Sequence, residues 1–428
     1  MNEWWANGNI ICNVHTDVGE TESQWWGDHF NFQLLDMVSE TCRTRTVPDC
    51  EFFINKRDYP HLKYNEAMRG PAEPYGFIYD KDDRDPDQDL PLQEDYSFPA
   101  YAPILSFYSS ARFSDIPMPP SEDWEAATGE IFPPSFNLDR DPHSGVTQDP
   151  KPRDLFTAVN LKKFEKAWED KVATAFFRGT ATGGGVTADT NQRLHVTQLC
   201  YEWGQEPLPA DGVPYLDAQI TGMNNRDKKI AGQKMTHINK DSFPFQMGRQ
   251  NFTPIYEQSS YKYLMYIEGH CAACRYGFMM RLGSVILKVE SKCVADQMWY
   301  FPLLKPYYDH VPVKADLSDL KQQLLWCRDH DADCRQIAHN ASLVYDKYVG
   351  KEGILDYMQV RCPDLCFPVS LTSYIFLLHK QHSLSTCEAR TSSTPPPRIR
   401  TTLTLPPPPT TPTTTTSAHT PHRPSSLS

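Results

Sequence analysis

Apolar residues recur along this chain at two different periods, and the change of period marks out its elements. In DHFNFQLLDMV (28–38) they fall three or four apart, which predicts an amphipathic helix. DCEFFIN (49–55) is a short apolar and aromatic run that reads as a strand. DKDDRDPDQDLP (80–91) reads as an acidic loop, and residues 98–153, rich in proline and aromatics with few helix signals, are expected to wrap the surface of a first domain. NLKKFEKAWEDKV (160–172) predicts a helix capped by Asn160, with Leu161, Phe164 and Trp168 on its buried face.

From there to about residue 349 strand and helix patterns alternate. Strands are expected at TAFFRG (174–179), YKYLMYIEG (261–269), SVILKVE (284–290) and HVPVK (310–314). Helices are expected at 273–282, 317–329 and 332–349. Such alternation implies a parallel sheet in an open α/β domain. No internal repeat is found. Beyond about residue 385 the chain is Pro/Thr/Ser low-complexity, a composition that cannot bury a core and is expected to be disordered or an O-glycosylated stalk.

The 428 residues suffice for two domains with full cores, and nine Trp, 21 Tyr and 21 Phe fit a globular protein. A net charge of −12 argues against general nucleic-acid binding, and against binding to anionic membranes. The first residues lack the basic start and apolar core of a secretion signal, and YIFLL (374–378) is too short to span a bilayer. Among the 12 cysteines, Cys327 with Cys334 and Cys362 with Cys366 stand close in sequence, which suits either disulfides or free core thiols. The sequons at Asn340 and Asn251, the latter followed by Pro254, matter only if the chain enters a lumen.

The stretch ATAFFRGTATGGGV (173–186) ends a predicted strand in Arg178 and a glycine-rich turn. Gly179 and Gly184 have the spacing of a Walker loop, but Gly185-Val186 replace its Lys and Ser/Thr, and the G-x-G-x-x-G fingerprint is absent as well. That absence disfavours a nicotinamide-dependent oxidoreductase. Two readings stand: a plain turn, or an anion site made by Arg178, Gly179, Thr180 and Thr182 past the carboxyl end of a strand. In the second such stretch, a strand ends at Glu268-Gly269 and a helix begins within HCAACR. Its first amides, with small Ala272 and Ala273 and with Arg275 in the first turn, suit the same anion. C-A-A-C also reads as half a zinc site or a redox pair, but no second half accompanies it. DKDDRDPDQD and DRD (139–141) resemble a metal-binding D-x-D yet lack the spacing of a calcium loop.

Four segments in order resemble glycosyltransferase family 90, which includes protein O-glucosyltransferases and fungal capsule xylosyltransferases. They are PDCEFFINKRDYP (48–60), FFRGTATGGGVTADTNQRL (176–194), YKYLMYIEGHCAACRYGFMMRLGSVILK (261–288) and WYFPLLKPYYDHVPVKADLSDL (299–320). The resemblance covers roughly residues 28–350 and implies a GT-B fold, two Rossmann-like domains facing each other across a cleft. The boundaries then expected are an acceptor-side domain 1–160, a UDP-sugar domain 161–350, an extension 351–385 and a disordered tail 386–428.

The activity implied is an inverting, metal-independent transfer of glucose or xylose from a UDP-sugar, with no cofactor, to a hydroxyl of a protein or polysaccharide. By resemblance it belongs in the ER/Golgi lumen. Asp58 matches the family's base, with Arg57 beside it. Arg178 and Arg275 would stabilise the departing diphosphate, with Gly179, Thr180, Thr182, Gly269, Ala272 and Ala273 around it. Arg193, Lys314 and Asp316 are weaker candidates, since Arg193 also reads as a helix-face charge and Asp316 as a helix cap. The chain departs from the family pattern at Ala273-Cys274, where a polar residue is usual, at Gly277 for Lys, and at Met298 for Glu, with Asp296 and Gln297 close by. The other reading is a catalytically silent nucleotide- or sugar-binding protein on the same scaffold.

Overall fold

In chain order the elements are α1 (Gln24–Thr44), β1 (Phe53–Asn55), β2 (Leu62–Asn65), β3 (Gly70–Pro74), β4 (Ile104–Ser106), β5 (Ile116–Pro117), α2 (Ser121–Thr128) and α3 (Ala158–Phe164). There follow β6 (Val172–Ala181), α4 (Gln192–Trp203), β7 (Leu216–Met223), β8 (Tyr261–Tyr266), α5 (Arg275–Met279), β9 (Val285–Val289), β10 (Val311–Val313), α6 (Leu320–Asp329), α7 (Asp331–Val344) and α8 (Lys351–Arg361). This computed structural model describes residues 24–48, 50, 52–55, 58, 60, 62–65, 70–74, 103–111, 113–128, 158–223, 237–293 and 295–361. All of them belong to the first of two units, Met1–Pro368, the second being Val369–Ser428. The acidic loop, Arg57, the Cys362/Cys366 pair and the Pro/Thr/Ser tail lie outside the described residues.

The α/β class expected from the alternation holds. Five parallel strands form the main sheet in the order β10-β9-β8-β6-β7. Counted from β6 this is 2-1-3-4-5, so the order reverses between β6 and β8. Consecutive residues of a strand point to opposite faces, and here both faces are covered. Phe176, Leu264, Tyr266 and Ile286 pack with α1, Trp124 of α2, Trp299–Phe301 and α8 on one side. Phe177, Tyr263, Met265, Val285 and Leu287 pack with Leu194, Leu324 and Ile337 of α4, α6 and α7 on the other. Each such side chain is worth ~1.5–3 kcal/mol of burial, which is why β6, β8 and β9 read as continuous apolar runs.

A smaller parallel sheet has the order β1-β4-β5. A polar ladder crosses it: Asn55 Nδ2 donates to Ser106 Oγ (3.1 Å), and that hydroxyl donates to Asp115 Oδ1 (2.6 Å). Of the stretch 98–153, expected to wrap the surface, residues 104–128 thus supply a central strand, an edge strand and α2, while residues 129–153 lie outside the described residues. Two- and three-residue strands are too short to print a period in the sequence. Leu105 and Trp124 are both 1% exposed.

The helix expected at 160–172 stops at Phe164, and Asn160 lies inside α3 instead of capping it. Ala167 is already extended, and Trp168 begins a separate 3-10 turn, its indole donating to Asp331 Oδ2 at 2.9 Å. The tertiary reason is Lys171, whose ammonium is buried and donates to Leu282 O (2.9 Å), Ser284 Oγ (3.2 Å) and Ser259 O (2.5 Å). Those bonds fix the start of β6. Cys327 and Cys334 are buried free thiols between α6 and α7. Both sequon amides are engaged by backbone: Asn340 donates to Tyr308 O and Asn251 to Ile220 O. No described helix is long and apolar enough to cross a membrane.

Asp123, 4% exposed, accepts the Trp299 indole N–H at 2.8 Å. Burial, which outweighs that hydrogen bond, pushes its carboxyl up to about 8. A folded-state value above the unfolded one gives a contribution that is fully present below the ordinary carboxylate value. It is lost as the pH climbs through about 8. Thermal melts from about pH 5 to about pH 9 should therefore show stability falling until about pH 8 and levelling off above it. The decline should be shallower in Asp123→Asn, which keeps an acceptor for the indole. An identical decline in both proteins would show that Asp123 is not its source.

Candidate functional site

In open α/β sheets ligands bind beyond the carboxyl ends of the strands, where the strand order reverses. Here that fork lies between β6 and β8, and it is spanned by one side chain, Arg193. Asn191 caps α4 by accepting the amides of Arg193 and Leu194. That cap places Arg193 in the helix's first turn, directly over the strand ends. Its Nη1 donates to Thr180 O (2.9 Å) and Thr182 Oγ1 (2.6 Å) on the β6 side. Nη2 (3.0 Å) and Nε (3.3 Å) donate to Ile267 O after β8. Next to it, Gln192 Nε2 ties the ends of β9 and β10 through Glu290 O (2.7 Å) and Ala315 O (2.8 Å). Arg193 is 5% exposed, so its reading as a helix-face charge is corrected.

Arg275 comes in from the other side, and its Nη1 donates to Arg178 O at 2.5 Å. Burial lowers the pKa of both guanidiniums, that of Arg193 to about 10 with the Arg275 charge as the second cause. Among the described residues no carboxylate pairs with either. A buried and a half-buried cation that repel each other, and whose hydrogen bonds among the described residues go to carbonyl and hydroxyl oxygens, form a pocket of positive potential. The backbone around them is shaped to fit. A Cβ on Gly269 would stand 3.2 Å from Arg193 Nη2 and closer still to Thr182 Oγ1. Asn191 Nδ2 holds the glycine-rich loop by donating to Thr182 O (3.1 Å) and Gly185 O (3.0 Å).

Other expected residues fall differently. Arg178 does not turn toward Arg275 and Arg193. Its guanidinium lies over the Phe176 ring, pairs with Asp217 on β7 at 2.9 Å, and donates to Asn251 O. With its donors committed there, it reaches the fork through its carbonyl. The amides of Ala272 and Ala273, expected to face an anion, donate instead to Ala295 O (2.8 Å) and Tyr266 Oη (2.7 Å). A five-residue α5 leaves these two residues in the preceding loop, where buried amides need partners of their own. Lys314 gives its amide to Asp319 Oδ1, and Asp316 Oδ1 accepts the Ser318 amide, so Asp316 shapes a turn ahead of α6. Gly277 has no room for a longer side chain, since a Cβ would meet Asp123 Oδ1 at 3.2 Å and Tyr300 Oη at 3.3 Å.

Asp58 is half-buried after β1. Burial first and then the Asp58 charge push the Cys271 thiol up, which puts this carboxylate within electrostatic reach of the loop between Gly269 and Arg275. Glu268, not singled out from sequence, is 3% exposed at the end of β8. Burial pushes its carboxyl up to about 7; Ser291 Oγ donates to one oxygen, and Oε1 has no partner. Lys288 beside it is lowered by burial. Among the described residues no group of three or more His, Cys, Asp or Glu side chains is placed to hold a metal ion.

The close packing at Gly269 gives a direct check. Gly269→Ala should cost about 1–3 kcal/mol in urea unfolding through overpacking. Adding Thr182→Ala, which removes the nearest clashing atom, should recover part of that loss. If the two substitutions are additive, Thr182 and Gly269 are not in the contact described.

Residues 216–360 match the family described as Glycosyl transferase family 90. Over 84% of its length the chain is 36% identical to uncharacterized protein 179R of Invertebrate iridescent virus 6, covering 29% of that protein. Over 74% of its length it is 25% identical to Protein O-glucosyltransferase 3 of Mus musculus, covering 47% of it. The chain thus spans about half the length of these relatives or less. A solved structure of Anabaena HepE in complex with UDP-glucose overlaps 61% of this chain and 72% of that one, with a TM-score of 0.32 and 11% identity. By sequence, the segment 216–360 belongs to glycosyltransferase family 90.

Proposed function

We propose that this protein is a UDP-sugar-dependent glycosyltransferase that inverts the anomeric centre without a metal ion. In this reading residues 1–160 and 161–350 are the acceptor and donor domains of a GT-B fold. The sugar is glucose or xylose, and the acceptor is a hydroxyl of a protein or glycan in a secretory lumen. The observation that carries the reading is the pair of guanidiniums, buried Arg193 and half-buried Arg275, at the fork of a parallel sheet, with no carboxylate among the described residues to neutralise them. A nucleoside diphosphate brings the missing negative charge to such a place. The family membership of 216–360 and the protein O-glucosyltransferase relatives support the same class of chemistry.

The steps follow from charge. Asp58 takes the proton of the acceptor hydroxyl as its oxygen attacks the anomeric carbon, and the bond from that carbon to the diphosphate oxygen breaks. Negative charge grows on the leaving phosphate, where Arg275 and Arg193 are already desolvated and oriented, so little reorganisation is needed. Glycines 179 and 269 keep side chains out of that space. A second reading, a silent binding protein, has one observation in its favour: the Ala272 and Ala273 amides are engaged, which leaves fewer donors for a leaving group.

UDP release from UDP-glucose and UDP-xylose, measured beside UDP affinity, separates the two. Asp58→Asn should keep UDP affinity while turnover falls by about 10²–10⁴, the usual share of a general base. Arg275→Ala should weaken UDP binding by at least tenfold, about 1.4 kcal/mol. UDP binding with no turnover of either sugar would favour the silent protein. Absence of UDP binding by the unaltered chain would remove the nucleotide reading altogether.

A further inference from the structure

A second recess lies at the opposite edge of the main sheet. Tyr307 precedes β10, whereas the Arg193 fork sits where β6 and β8 end. Tyr307, Trp326, Asp333, Gln336, Ile337 and Asn340 line a groove of about 470 Å³, within the ~300–1,000 Å³ range of small-ligand sites. Its floor is aromatic: the Tyr307 and Trp326 rings meet edge to face at 5.2 Å, and His330 stacks on Trp326 at 4.6 Å. Its wall is one polar stripe of α7. Asp333, Gln336 and Asn340 recur at three and four residues and so share a face.

Tyr307 is held out in an unusual way. It is 49% exposed and has φ +57°, a region that non-glycine residues seldom occupy. Its amide donates to His310 O at 2.7 Å, and its hydroxyl bonds Gln323 Oε1 at 3.2 Å. A strained backbone that presents a large exposed ring points to use of that ring. Asn340 is fully engaged, giving its amide to Tyr308 O and accepting from Gln336 Nε2. That orients Gln336 and leaves its oxygen open. Among the described residues Asp333 makes no hydrogen bond or ion pair.

Among the described residues no Lys or Arg lines the groove, so these residues offer phosphates, nucleic acids and anionic lipids no partner. An apolar ligand would leave the carboxylate and amide unmatched. A pyranose ring satisfies both surfaces, since its C–H face stacks on an aromatic ring while its hydroxyls donate to Asp333 and Gln336. We infer that this groove is a carbohydrate-binding site for a neutral glycan, separate from the fork at the other edge of the sheet. The inference does not depend on the transferase reading.

Saturation-transfer NMR and calorimetry on the full chain, with maltohexaose, cellohexaose and xylohexaose as separate probes and UDP at saturation, test it. At least one probe should bind at millimolar concentration or tighter, with UDP leaving the signal intact. Tyr307→Ala should weaken that binding at least tenfold, Tyr307→Trp should retain it, and Asp333→Ala should weaken it too. Both positions are exposed, so folding is expected to survive, and an unchanged thermal melt confirms that it has. The inference fails if no probe binds. It fails equally if binding is the same in Tyr307→Ala, or if UDP displaces the glycan.

Discussion

Everything at the carboxyl edge of the main sheet hangs on one buried cation. A parallel pair whose order reverses must splay, and the splayed ends of β6 and β8 expose carbonyls that no neighbouring strand can satisfy. Arg193 satisfies them, taking Thr180 O on one side and Ile267 O on the other. A guanidinium suits this because its donors form a rigid planar fork, which a lysine could not reproduce. The arrangement has a cost. A charge taken out of water and given only neutral oxygens remains under-solvated, and the approach of Arg275 raises that cost. An anion placed there would relieve part of that cost.

The loop between β6 and α4 follows from the same constraint. For Arg193 to stand over the fork, α4 must start there, and Asn191 fixes that start by capping the helix with its oxygen. Its nitrogen meanwhile holds the carbonyls of Thr182 and Gly185. One side chain thus sets both the helix and the loop. The glycines make this possible: Gly183 has φ +132°, and a Cβ on Gly185 would collide with Thr190. A glycine-rich stretch that looks flexible in sequence is therefore pinned at both ends.

What could be read from sequence was what local pattern controls. β6, β8 and β9 are buried on both faces, so their apolar runs were plain, and the α/β class followed. Residues 104–117 carry no such signal, because their strands are two and three residues long and are held by β1 on one side and by each other. β7 does alternate, with Leu216, Ala218 and Ile220 inward, but small and polar residues between them weakened the signal. Arg193 was within reach of sequence, since Asn191 two residues earlier is a cap and a first-turn residue after a strand lies near that strand's end. The partners of Arg178, Ala272 and Ala273 were not. Asp217, Ala295 and Tyr266 meet them only through tertiary register, and nothing local announces it.

Arg178 acts on the fork through the strand it belongs to. Its guanidinium pairs with Asp217 and rests on Phe176, which locks β7 onto β6 just before the fork. With the strand so fixed, the Arg178 carbonyl is held where Arg275 donates to it. Gly179 completes the device, because a Cβ there would press on the Phe177 ring at 2.9 Å, with Arg275 Nη2 at contact distance, 3.6 Å. The Arg-Gly pair thus divides its labour: the side chain of the first aligns the strand, and the missing side chain of the second leaves room for the Phe177 ring. A lysine at 178 would keep the charge and lose the planar contact with Phe176 and the paired bonds to Asp217. The effect would be felt at Arg275, one residue removed from the one changed.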